Sequence, residues 1–256
     1  MHSVSGVFDK LIETRRRRGG LFFLLIDPDS QDEHHATSVV EAAGECGVDA
    51  LLVGGSFVLH PTYLTAVERI KRRSTVPVIL FPGSSAQICP HADAILFTSL
   101  ISGRNANYLI DEQVKGAPLV KHYNLEPIPT GYMLIESGSL TSVQYVSGSM
   151  PIPRHKHDLA RAHALAAQYL GMKMVYLEAG SGAKLPVPID MVKAVAEYVT
   201  VPVMVGGGLT SPRECADRVE AGAACVVVGT CIEQQLDFGL LREMTSAAHL
   251  RESILV

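Results

Sequence analysis

Several short runs combine residue types that do chemistry. Asp27-Pro28-Asp29 follows an apolar run, and Gly54-Gly55-Ser56 follows another. Tyr176-Leu177-Glu178-Ala179-Gly180-Ser181-Gly182 sets a phenol and a carboxylate two residues apart, ahead of a small-residue loop. Gly206-Gly207-Gly208 precedes Ser211-Pro212, and Gly229-Thr230 precedes Ile232-Glu233. Glycine lets backbone come close to a ligand, and amides near a helix start attract anions. The two glycine loops therefore fit a phosphate cradle; tight strand-to-helix turns are the other reading. In a strand, residues i and i+2 share a face, so Tyr176 and Glu178 point the same way. Burial would make Glu178 a general base for a hydroxyl; the alternative is a salt-bridged structural carboxylate. Tyr176 could bond phosphate, or be a core ring with a satisfied hydroxyl. Asp27 is the better candidate ligand for a hard cation such as Mg2+, which takes one or two carboxylates plus phosphate oxygens. Asp29 reads as a helix cap. Ser56 supports a metal or a phosphate, or is itself an N-cap.

The elements that must position these residues are legible. Eight apolar runs stand out: Leu21–Ile26, Ala50–Val53, Val78–Phe81, Ala94–Phe97, Met133–Ile135, Met174–Leu177, Val201–Val205 and Cys225–Val228. They show little alternation, as in strands buried on both faces of a parallel sheet. Helix-like stretches lie between them at Asp32–Cys46, Pro61–Arg72, Lys156–Leu170, Ile189–Val199 and Pro212–Ala221. Ser211-Pro212-Arg213-Glu214 is a capping-box start, and Cys46-Gly47, Leu170-Gly171 and Ala221-Gly222 are helix stops. Eight βα units in 256 residues, with no break in composition, predict a single (β/α)8 TIM barrel over residues 1–256. An open doubly wound sheet is the alternative. Chemistry in such a barrel gathers at the C-terminal ends of the strands, where all five runs fall. Two places depart from regularity. Pro82–Pro90 is too broken for a full third helix, and Ser137–Pro153 is a long Ser/Gly/Pro-rich loop of the kind that carries function.

Composition removes other classes. Lys+Arg 22 against Asp+Glu 26 gives a net charge of −4, which argues against a nucleic-acid partner. No apolar run is long enough for a membrane span, and Leu21–Ile26 ends in Asp-Pro-Asp, unlike a signal peptide. Five cysteines without Cys-x-x-Cys spacing suit a reducing cytoplasm. His34-His35 and His155-x-His157 read as exposed helix starts, Arg15–Arg18 as a solvated face, and Met174 and Cys225 as core.

Taken in order, the motifs resemble those of the geranylgeranylglyceryl phosphate synthase family, in its larger branch. They are Leu25-Ile26-Asp27-Pro28-Asp29, Gly54-Gly55-Ser56, Pro127-Ile128-Pro129-Thr130-Gly131-Tyr132, Pro151-Ile152-Pro153-Arg154, Tyr176 to Ala183, Val205–Gly208 and Val228–Thr230. The resemblance implies a TIM barrel and attack by the 3-hydroxyl of sn-glycerol 1-phosphate on C1 of a long prenyl diphosphate, geranylgeranyl diphosphate foremost. It also implies Mg2+ at Asp27 and Ser56, and glycerol phosphate along Tyr176–Gly182 and at Gly207, Gly208, Gly229 and Thr230. Glu178 matches the base, with Tyr176 beside it, and dimers or hexamers are implied. Some relatives carry Lys where this chain has Leu25, so that contact is lost. No Asp-Asp-x-x-Asp motif of chain-elongating prenyltransferases is present. An apolar groove beside the broken third segment would take the prenyl chain. Two other functions remain open: a phosphosugar isomerase or lyase on the same loops, and a non-catalytic phosphate-ligand barrel.

Overall fold

The computed structural model describes residues 5–28, 33–57 and 62–250, without the side chains of 33–35, 234 and 235. Asp29, the His60-Pro61 junction and the side chains of His34 and His35 lie outside the described residues.

Eight parallel strands close into a barrel in chain order. They are β1 Leu21–Ile26, β2 Ala50–Val53, β3 Val78–Leu80, β4 Ala94–Leu100, β5 Glu126–Leu134, β6 Met174–Glu178, β7 Val203–Gly206 and β8 Cys225–Val228. β1 pairs with β8 from Leu21↔Cys225 to Leu24↔Val228. That closure removes the open-sheet alternative. The helices are α1 Val7–Arg18, α2 Glu33–Glu45, α3 Tyr63–Arg73, α4 Glu112–His122, α5 Ser142–Ser147, α6 His157–Tyr169, α7 Ile189–Ala196, α8 Pro212–Glu220, α9 Thr230–Gln235 and α10 Phe238–Ala248.

The apolar runs are double-sided because the barrel has two apolar layers. Phe23, Leu52, Ile79, Leu96, Tyr132, Met174, Tyr176, Met204 and Cys225 fill the inside. Their neighbours Phe22, Leu51, Leu80 and Val226 pack outward under the helices. Met174 and Cys225 are core, as expected.

β5 starts at Glu126, seven residues before the expected Met133–Ile135 run. Two prolines argue against a ladder strand, yet their position removes the objection. Pro129 O accepts from Lys173 N at 2.8 Å, so Pro127 and Pro129 both turn toward β6. β6 begins only opposite Thr130, at Met174. The missing N–H groups have no strand to bond.

α1 was not expected; its Arg15–Arg18 run was read as a solvated face. Its other side carries Leu11, Val7 and Phe8 into the inner core. The Glu126 carboxylate accepts from the free N–H groups of Val7 and Phe8. Arg18 is not simply solvated: its Nη1 lies 2.6 Å from Asp49 Oδ1.

Between β3 and β4 only one 3-10 turn, Ser85–Gln87, stands where a barrel helix belongs. The degenerate third helix is therefore real. The long loop after β5 is partly ordered into α5, and it returns to the barrel through Ile152. Ile152 N donates to Leu134 O at 2.8 Å and its O accepts from Glu136 N at 2.9 Å. Pro151 and Pro153 flank that bridge and stop it spreading.

Candidate active site

A cavity of about 670 Å3 opens at the C-terminal ends of the strands. One end is polar and holds Asp27, Ser56, Glu178, Ser181, Thr230 and Glu233. The other is apolar and runs over β4, past Phe81, Ile88, Ile95, Phe97, Leu100, Val143 and Val146. Ile88, Ile95 and Phe97 belong to the outer layer. They reach the cavity because the third helix that would cover them is only a turn.

β6 places the titratable pair. Tyr176 and Glu178 point into the barrel, with Tyr176 fully buried and Glu178 5% exposed. Gly180 N donates to Glu178 Oε1 at 2.5 Å. Burial pushes the Glu178 carboxyl up, while Tyr176 and the Gly180 N–H pull it back. No cation pairs with it among the described residues, so the salt-bridged reading is replaced by a desolvated carboxylate facing a cavity. The Tyr176 hydroxyl has no hydrogen-bond partner of normal geometry and lies behind the cavity wall. Burial, then the nearby carboxylate, raises it well above a normal phenol. Tyr132 presents its ring to the cavity and stacks edge-on to Tyr176 at 5.4 Å.

The Tyr176–Gly182 run is not uniform. Leu177 and Ala179 turn their side chains into the outer core. Ala179 N is spent on Gly206 O at 3.0 Å. Those two can meet a ligand only through remaining backbone groups. Ser181 and Gly182 are exposed at the loop tip, and Ser181 Oγ lies 3.1 Å from Thr230 Oγ1. That bond joins the β6 and β8 loops.

The three β7 glycines are needed for close approach. A Cβ at Gly206 would sit 2.3 Å from the Tyr176 hydroxyl, and one at Gly207 2.4 Å from Glu178 Oε1. Gly207 and Gly208 also have φ of 85° and 73°. These contacts and φ values bear out the tight-turn reading. One detail changes: the start of α8 is already occupied. Glu214 Oε2 accepts from Thr210 N at 2.8 Å and Ser211 N at 3.1 Å, completing the capping box. The amides of Gly207, Gly208, Ser181 and Gly182 donate to no acceptor among the described residues. Ser181 and Thr230 line the cavity, whereas Gly182, Gly207, Gly208 and Gly229 lie outside its lining. Gly229 and Thr230 are the cap and first residue of α9, and free amides in such turns can bind an anion.

At the opposite wall, Asp27 N donates to Glu233 Oε1 at 2.9 Å. Gly55 packs against Asp27: a Cβ there would lie 3.1 Å from Asp27 Oδ2. Ser56 is not the cap of α3, which is Thr62. Asp27, Ser56 and Glu233 offer only hard oxygen donors, which suits Mg2+. No cluster of three His, Cys, Asp or Glu side chains occurs among the described residues. A cation held here would take part of its shell from ligand oxygens. Leu25, the departure from the motif, lines the cavity.

Glu233, Tyr132 and Gln87 were not among the expected site residues. Gln87 is 3% exposed; it donates to Gly55 O at 3.0 Å and accepts from Gly83 N at 3.1 Å, locking the β2 and β3 loops together. A glutamine in a broken segment carries no periodic signal. Tyr132 did stand in a quoted motif, two residues past Thr130. His155 is exposed but precedes α6, and His157 opens α6 half-buried, so the expectation of two exposed helix-start histidines is met only in part. All five cysteines are buried and unpaired. No helix among the described residues is long and apolar enough to cross a membrane.

Comparison with known proteins agrees with this geometry. Geranylgeranylglyceryl phosphate synthase of Spirosoma linguale is 46% identical over 214 residues, 84% of this chain and 86% of that protein. The enzyme of the same name from Thermococcus gammatolerans is 45% identical over 230 residues, 90% of each chain. The crystal structure of (S)-3-O-geranylgeranylglyceryl phosphate synthase from Thermoplasma acidophilum, in complex with its substrate sn-glycerol-1-phosphate, superimposes with a TM-score of 0.91. It is 33% identical and covers 96% of this chain and 100% of its own. Residues 12–247 match the PcrB family, and the chain belongs to that family.

Proposed function

We propose that this chain is a geranylgeranylglyceryl phosphate synthase. It joins the 3-hydroxyl of sn-glycerol 1-phosphate to C1 of a long prenyl diphosphate, geranylgeranyl diphosphate foremost, and releases diphosphate. The names of the relatives support the reaction. The observation that carries it here is the two-ended cavity: the buried Glu178 carboxylate with Asp27, Ser181 and Thr230 at one end, an apolar groove at the other. A phosphosugar isomerase needs no such groove, and a mere phosphate sensor needs no desolvated Glu178.

The residues divide the work. The amides of Ser181, Gly182, Gly207 and Gly208, with Gly229 and Thr230, hold the glycerol phosphate. Glu178 accepts the proton of the attacking hydroxyl as the new C–O ether bond forms and the C1–O bond to diphosphate breaks. Its displaced pKa makes it a better base than an exposed glutamate. Tyr176 supports that carboxylate from behind. The isoprenoid chain lies along Phe81, Ile95, Phe97 and Leu100 over β4. Asp27 and Ser56, with Glu233 beside them, would hold Mg2+, whose charge would neutralise the leaving diphosphate. The catalyst works free in the cytoplasm as a homo-oligomer.

Incubation of the purified chain with labelled sn-glycerol 1-phosphate, geranylgeranyl diphosphate and Mg2+ is expected to yield an acid-stable prenyl ether. EDTA is expected to stop the reaction and Mg2+ to restore it. Absence of product from folded protein would overturn the reading; turnover persisting in EDTA would overturn the metal role.

A further inference from the structure

Pro151-Ile152-Pro153-Arg154 stands out in the sequence, yet the proposed reaction uses none of it. Ile152 docks the returning long loop on β5, and two residues later the Arg154 side chain crosses to the loop between β6 and α7. Its Nη1 donates to Glu136 O at 2.9 Å and Leu185 O at 3.3 Å, and its Nη2 to Pro186 O at 2.9 Å. From α8, Arg218 reaches the next carbonyl: its Nη2 donates to Val187 O at 3.1 Å. Three consecutive carbonyls, 185 to 187, are thus held by two guanidinium groups. Arg218 is only 6% exposed, and burial lowers its pKa, with the neighbouring Arg154 charge adding to that. Every hydrogen bond these two guanidinium groups make to a residue of this stretch goes to backbone. A planar fork suits such carbonyl bracing, and a lysine ammonium does not.

The braced limb is the far side of the loop whose tip carries Ser181 and Gly182. Between them the chain turns, with Ala183 N on Gly180 O at 3.1 Å and positive φ at Gly180 and Gly182. Gly208 packs against the same turn; a Cβ there would lie 2.8 Å from Ala183 O. The tip therefore has one rigid limb on β6, through Glu178, and one on the two arginines. We infer that Arg154 is a positioning residue for glycerol phosphate: it fixes the β6–α7 loop so that the Ser181 and Gly182 amides face the phosphate. This rests on the phosphate site proposed above.

The test is calorimetric titration of sn-glycerol 1-phosphate into the full chain and into Arg154→Ala and Arg154→Lys, with both KM values and the Tm measured alongside. Wild-type binding is expected. Both variants should weaken Kd and KM for glycerol phosphate by about 10- to 100-fold, and leave KM for the prenyl diphosphate within about twofold. Equal binding by wild type and variants would overturn the positioning role. So would rescue by lysine, or a loss of Tm with both KM values rising together, which marks a general structural effect. Failure of wild type itself to bind glycerol phosphate would instead overturn the phosphate site beneath the inference.

Discussion

Glu178 is where burial and chemistry oppose each other. Its carboxyl is 5% exposed and desolvation raises its pKa. A raised folded-state pKa means the fold prefers the protonated form. The stability this gives is complete below the ordinary glutamate value and is lost as pH rises through the folded value. Glu178→Gln keeps the acceptor for Gly180 N–H and removes the charge. The variant should therefore match wild type at acid pH and exceed its Tm at pH 7.5. Turnover should fall about 100- to 10,000-fold, and the acid limb of the wild-type kcat/KM profile should disappear. Thermal melts at pH 4 and 7.5, with rate profiles, check this; an unchanged rate would remove the base assignment.

At the scale of elements, the lower end of the barrel is tied by one buried carboxylate. Asp49, just before β2, accepts from Phe22 N at 2.8 Å on β1. It also meets Arg18 of α1 at 2.6 Å and His249 Nε2, just past α10, at 2.9 Å. Asp49→Ala leaves a buried N–H, a guanidinium and an imidazole without that acceptor. A loss of about 3–5 kcal/mol is expected in urea unfolding. The activity of the remaining folded protein should be unchanged, since chemistry sits at the opposite end. A matching loss of specific activity would contradict that separation. The same network explains what the sequence concealed. Arg15–Arg18 reads as a charge run, because Arg18's partner Asp49, 31 residues away, leaves no local trace. β5 was hidden for a related reason: its prolines are tolerated only because β6 starts late. Local signals did mark the Ser211 capping box and the eight strands, β5 only at its C-terminal end. They also placed Asp27, Glu178 and the glycine loops at the strand ends. They could not show that Gln87 joins the β2 and β3 loops, or that Glu233 meets Asp27. Those facts depend on how loops meet across the barrel.

On the scale of the whole molecule, the barrel gives up one helix to gain a groove. The 3-10 turn Ser85–Gln87 leaves the outer face of β4 open, and the cavity continues across it from the polar end at Glu178 and Thr230. On the proposed reading this one cavity holds both reactants, head at Glu178 and tail over β4. Ser85 is half-buried on the groove wall and can carry added bulk without entering the core. The most direct measurement is prenyl transfer by Ser85→Trp and wild type with C20 and C10 diphosphates, with KM for sn-glycerol 1-phosphate determined in parallel. Loss of C20 transfer by about tenfold or more is expected, for a chain excluded from an apolar pocket. C10 transfer and the glycerol phosphate KM should be retained. An unchanged preference between the two donors would contradict the groove assignment.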